Sequence, residues 1–85
     1  MPEAKIGRVD KYYSKLGVAV IELTGGPLRL GDMIRIRGGT SDFEQRVESM
    51  QIEHLRVEQG GAGQRVAIQL VAKARHNDIV YSVVP

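Results

Sequence analysis

The 85-residue sequence has no cysteine, which excludes a disulfide framework, a thiolate zinc site and a cysteine nucleophile together. It also lacks a long apolar run. The longest, Gly17 to Ile21, is far too short to cross a bilayer. The first residues, Met1-Pro-Glu-Ala-Lys5, have no apolar core of the kind a signal peptide needs, so a cytoplasmic product is expected. No helical stripe of useful length is present. Glu48 to Glu58 tolerates helix by composition, but its β-branched residues and the glycines at its far end favour strand. The basic excess is small: 12 lysines and arginines against 10 acids, a net charge of +2. Such a balance does not by itself imply nucleic-acid binding, because single-sign patches matter more than the total.

What is present describes one small folded domain. Hydrophobic residues make up 42% and charged residues 26%, outside the range of disordered or membrane-embedded chains. A chain of this size buries only about 60–65% of its unfolded surface, so its core must be compact and continuous. No linker, low-complexity tract or internal repeat interrupts it, and residues 4–84 read as a single unit.

The recurring pattern is β-type alternation broken by glycine-rich turns. In Gly17-Val-Ala-Val-Ile-Glu-Leu23, Glu22 belongs in water, and period two then sends Ala19, Ile21 and Leu23 inward. Thr24-Gly-Gly-Pro27 is a turn. Next, Ile34 and Ile36 face inward while Arg35 and Arg37 face out. Gly38 to Asp42 turns the chain into the segment Phe43 to Glu53, where the alternation changes phase. Val47 is an inward candidate, yet Met50 and Ile52 have the opposite parity, which a β-bulge near Glu48-Ser49 would reconcile. A second phase change falls at His54, before Leu55 and Val57. Gln59 to Gly63 is a flexible turn read as a hairpin, followed by the alternating Val66, Ile68 and Leu70. Arg75 to Asp78 then turns the chain into a last strand, Ile79 to Val84. The expected fold is all-β: a small closed antiparallel barrel of six or seven strands, which also removes exposed strand edges.

The run Leu16-Gly-Val-Ala-Val-Ile-Glu-Leu-Thr-Gly-Gly-Pro-Leu-Arg-Leu-Gly-Asp-Met-Ile-Arg-Ile-Arg-Gly38 resembles the second domain of elongation factor Tu and related translational GTPases. Val47-Glu-Ser-Met-Gln-Ile-Glu-His54, Gly61-Ala-Gly-Gln-Arg-Val-Ala-Ile-Gln-Leu70 and Asp78-Ile-Val-Tyr81 resemble later strands of the same barrel, in the same order. The resemblance runs from Lys5 to Val83. It extends to stand-alone translation elongation factor-like small proteins and to the carboxy-terminal barrel of collagenase-type peptidases, which act in RNA modification as well as proteolysis. It implies a translation-protein barrel that binds rather than catalyses. The phosphate-binding Gly-x-x-x-x-Gly-Lys-Ser/Thr motif is absent, so nucleotide hydrolysis is not expected of this chain. Asp10 and Val20 stand where the family has an aromatic residue and a threonine in its aminoacyl pocket, and no aminoacyl-site residue is carried over.

The candidate sites follow from residue type. The two histidines, His54 and His76, lie near Glu53 and Asp78. Neighbouring strand residues point to opposite faces, so Glu53 and His54 do not readily share a ligand sphere. Ser14, Ser41, Ser49 and Ser82 have no recognisable partners for nucleophilic attack. Neither a catalytic centre, a metal nor a cofactor is expected. Gly60-Gly-Ala-Gly63 joins strand to strand, unlike a phosphate loop. Lys11, Tyr12, Tyr13 and Lys15 combine cations and aromatics in the first hairpin. Arg35 and Arg37 share an outer face, with Arg46 expected opposite them and Arg65 extending the patch. Such a patch would neutralise phosphates while a tyrosine stacks on a base. The alternative is a solvated face balanced by Asp10, Glu44 and Glu48. Val18 and Val20, facing out, mark either a partner surface or a place covered by the amino-terminal residues. The expectation is thus a non-enzymatic module contacting RNA or an RNA-acting protein. The alternative is an auxiliary, protein-binding subunit of a collagenase-type enzyme.

Overall fold

A computed structural model describes residues 3–83. Val84, assigned above to the last strand and to the domain, lies outside the described residues. Ten strands follow one another: β1 (Glu3–Tyr13), β2 (Val18–Leu23), β3 (Leu28–Arg29), β4 (Met33–Arg37), β5 (Asp42–Arg46), β6 (Met50–Ile52), β7 (Leu55–Arg56), β8 (Gln59–Gly60), β9 (Arg65–Gln69) and β10 (Ile79–Val83). There is no helix among the described residues, and hence none long and apolar enough to cross a membrane. All the pairings are antiparallel. Eight strands form one sheet in the order β5-β4-β10-β1-β2-β9-β6-β7, while β3 and β8 pair separately.

Alternation sets the faces as expected. Ala19, Ile21, Leu23, Ile34, Ile36, Val66 and Ile68 are fully enclosed, and Leu70 continues the series just past β9. Val9, Leu28, Val47, Met50 and Val80 complete the same core. The long first strand departs from simple alternation. Its register slips between Lys5 and Gly7 against β10, and between Val9 and Lys11 against β2. Each bulge advances the inward face by one residue. Ile6, Val9 and Tyr12 therefore all reach the core, three residues apart rather than two. The same bulges bend β1 so that one strand serves two neighbours, and at its start Glu3 lies opposite Val83.

The phase changes have causes other than those expected. Between Val47 and Met50 the strand itself breaks, and β5 and β6 pair with different partners, so no bulge is needed. Val47 is held by two main-chain bonds, accepting from Gly31 N–H and donating to Asp32 O, both at 2.8 Å. At His54 the change is a two-residue hairpin turn. Glu53 and His54 have φ of 51° and 67°, the double positive φ of a type I′ turn, whose twist matches the flanking strands. Leu55 leaves that turn opposite Ile52 and stays 71% exposed. The Gly60–Gly63 segment, in contrast, is not the hairpin expected, since β8 and β9 do not pair. Its first residue pairs with Leu28 in the small sheet, and the loop carries the chain across to β9. Gly60 is buried there, where a Cβ would come within 2.7 Å of Val66 Cγ1.

The main-chain ladder does not run through the junction between β5 and β9. Gln45, 9% exposed, bridges it with its side-chain amide. Its Nε2 donates to Gln69 O and its Oε1 accepts from Val71 N–H, both at 2.8 Å. A polar side chain thus stands in for a strand pair, satisfying two main-chain groups that would otherwise be left unpaired.

Candidate binding faces

The arginines expected to form one basic patch are divided between two ion-pair clusters. On β4, Arg35 lies opposite Glu44 and Arg37 opposite Asp42. Arg35 reaches Asp42 at 2.9 Å and both Glu3 and Glu44 at 3.3 Å, while Arg37 reaches Glu3 at 3.6 Å. These two arginines are matched by three acids, while Arg46 and Lys5 stand on the same outer face without an ion pair among the described residues. The hydrogen bond from Arg35 holds the Asp42 carboxyl below its ordinary pKa, and the same bond raises that of Arg35. Arg46 sits opposite Met33, not opposite either arginine, and donates to Gly31 O at 2.9 Å.

Arg65 does not extend that face. It is on β9, separated from β4 by β10, β1 and β2. Its neighbours are Asp10 (3.9 Å) and Glu22 (3.6 Å), which also meet Arg8 at 3.8 and 3.5 Å. Two arginines and two acids balance. Of the acids expected to offset the basic residues, Asp10 and Glu44 do so, whereas Glu48 forms no ion pair among the described residues.

Val18 and Val20 are half-buried on the outer face of β2, with Tyr13 and Lys11 opposite them on β1. The described amino-terminal residues, Glu3 to Lys5, pair with β10 and do not cover them. Instead the two valines floor an open groove of about 940 Å³, with Leu16, Tyr13, Ile52 and Ala67 supplying further apolar walls. His54 stands at its edge with Gln51 and the Glu22–Arg65 pair.

Tyr12 points the other way. Opposite Ala19, it packs against the core and lines a smaller cleft of about 300 Å³ at one end of the barrel. Ser14, Thr40, Ser41, Lys73 and Arg75 share that cleft. Thr40 and Arg75 fall in segments read above only as turns, and Lys73 was given no role. The basic-apolar-basic spacing of Lys73-Ala-Arg75 was the available signal.

His76 lies beside β1, with its Nδ1 at 2.6 Å from Asp10 O. A carbonyl only accepts, so that nitrogen carries the proton. Ser41 is buried and donates to Lys73 O at 3.5 Å, Ser14 and Ser49 are exposed, and Ser82 is in β10. Among the described residues, no three His, Asp or Glu side chains are grouped to hold a metal ion.

This geometry has close counterparts. The C-terminal domain of a Geobacillus thermoleovorans protein described as a U32 peptidase superposes with a TM-score of 0.88 at 18% identity, covering 95% of this chain and 93% of that one. A bacterial selenocysteine-specific elongation factor matches with a TM-score of 0.69 and 22% identity over 92% of this chain, 14% of its own. The fold is the translation-factor barrel. In sequence, the chain is similar to a collagenase of Porphyromonas gingivalis, 40% identical over 77 residues, and to an uncharacterized protease of Methanocaldococcus jannaschii, 45% identical over 78. These matches take in 89% and 91% of this chain but 21% and 19% of those proteins. The chain thus spans about a fifth of the length of the curated relatives it matches. No protein-family model matches it.

Proposed function

We propose that this barrel is a cytoplasmic, non-catalytic binding module that contacts RNA, or a protein acting on RNA, in translation or RNA modification. The observation that carries this reading is the uneven distribution of cations. Arg8, Arg35, Arg37 and Arg65 are matched by acids. The other eight cations make no ion pair among the described residues. Of these, Lys5, Arg29, Arg46 and Arg56 are spread over separate strands, whereas Lys11, Lys15, Lys73 and Arg75 gather on the first hairpin and the segment lying beside it. Unmatched cations on a rigid wall displace counterions from a phosphate backbone without needing base contacts. A titration of tRNA and ribosomal RNA fragments against salt tests it. Binding should weaken steeply, by about 0.7–0.9 in logarithmic slope for each phosphate neutralised. No binding at low salt, or binding indifferent to salt, would overturn it.

A second reading is favoured by the apolar groove over Val18 and Val20. Matching segments make up about a fifth of proteins named collagenase or protease, so the groove would seat the remainder of such an enzyme. That contact would survive about 1 M salt, where charges are screened within about 3 Å. Retention of the separately expressed remainder at that salt, lost in Val20→Asp, would support it.

A further inference from the structure

We infer that the cleft at the barrel end, between Tyr12, Ser14, Thr40, Lys73 and Arg75, is a phosphodiester site that grips the backbone of single-stranded RNA. This deepens the RNA reading and rests on it.

Four features of the cleft argue for an anion. The residues lining it include two cations, Lys73 and Arg75, and no acid. Neither cation forms an ion pair among the described residues. The three acids nearest in sequence are committed elsewhere, Asp10 among them, since its carboxylate faces Arg8 at 3.8 Å and Arg65 at 3.9 Å. Asp42 lies next to Ser41, but its carboxylate accepts from Arg35 Nε at 2.9 Å on the outer face. Asp78 is buried at 5% exposure, with one oxygen accepting from Arg75 N–H at 2.9 Å and its carboxylate packed against Gly38. That bond also fixes the turn from which Arg75 projects. Ser14 and Thr40 add hydroxyl donors to the rim. A phosphate presents one negative charge and several acceptor oxygens, which fits two cations and two hydroxyls.

The aromatic in this cleft argues for backbone rather than base. Tyr12 is half-buried and packs on the core, so only part of its ring is presented to the cleft, a smaller stacking platform than an exposed aromatic. Recognition should therefore be indifferent to sequence.

The test uses the intact chain and fluorescein-labelled oligouridylate and oligoadenylate of about 12 nucleotides, followed by anisotropy across a salt series. The two oligomers should bind alike, and amide resonances of Ser14, Thr40 and Lys73 should shift on titration. Lys73→Gln with Arg75→Gln should weaken binding about tenfold at low salt and reduce the salt slope by about 1.4, two contacts at about 0.7 each. Arg56→Gln, on β7, should leave both unchanged. Unaltered far-ultraviolet circular dichroism and melting would show that the double variant is folded. If the wild-type chain binds RNA but the double variant retains affinity and slope, the cleft is wrong and the broader RNA reading survives. A marked preference for one oligomer likewise overturns backbone recognition. If the wild-type chain binds neither, both readings fall.

Discussion

Strands β2 and β5 are similar in length and both alternate, yet they are held in different ways. β2 lies between β1 and β9, laddered on both sides, with its inward residues fully enclosed. β5 is laddered to β4 alone, and its other side is joined to the end of β9 by one glutamine side chain. The wall around β2 is secured by repeated main-chain bonds and apolar burial. The seam at β5 depends chiefly on Gln45, with the longer bond from Ser41 to Lys73 O beside it.

Substitutions should expose that contrast. Ile21→Ala, in the wall, should produce the largest loss, about 2–5 kcal/mol in chemical denaturation, because it removes a fully enclosed side chain and leaves a cavity. Gln45→Ala should cost about 1–3 kcal/mol by orphaning Gln69 O and Val71 N–H. Its signature should be local: the Val71 amide should exchange with solvent much faster, while amides shared by β1 and β2 stay protected. Equal acceleration throughout would mean that seam and wall open as one unit, and the contrast would fail. The smallest effect should come from the exposed β4–β5 face. Arg35 depresses the Asp42 pKa, so Asp42 contributes stability above the ordinary carboxylate value of 3.8 and loses that contribution as pH falls through its lowered value. The melting temperatures of wild type and Asp42→Asn should therefore differ slightly at neutral pH and converge in acid.

The wall was legible in the sequence because burial there follows period two. Ala19, Ile21, Leu23, Ile34, Ile36, Val66 and Ile68 were all assignable from alternation with Glu22, Arg35 and Arg37. The seam was not. A glutamine inside a strand carries no mark of being a plug, and its partners are 24 and 26 residues away. Phase changes were visible as events, but parity alone does not separate a bulge from a strand break or from a type I′ turn. The strand that does carry bulges, β1, showed no such irregularity, since Gly7 and the polar residues after Val9 hide the slips. The candidate sites were legible as residue types but not as groupings. Pairing Arg35 with Glu3 across 32 residues, and Arg65 with Asp10 across the sheet, depends on strand order. Only the assembled barrel separates neutralised arginines from unmatched cations.

The apposition of Glu3 and Val83 has a consequence for how such a barrel is used. A polypeptide entering at one of these residues and departing at the other would do so through a single doorway, so the unit can be spliced into or hung from a larger architecture with little distortion of either. Fusing Glu3 to Val83 through a short glycine tether and opening the ring at the Glu53–His54 tip should still yield a folded cylinder.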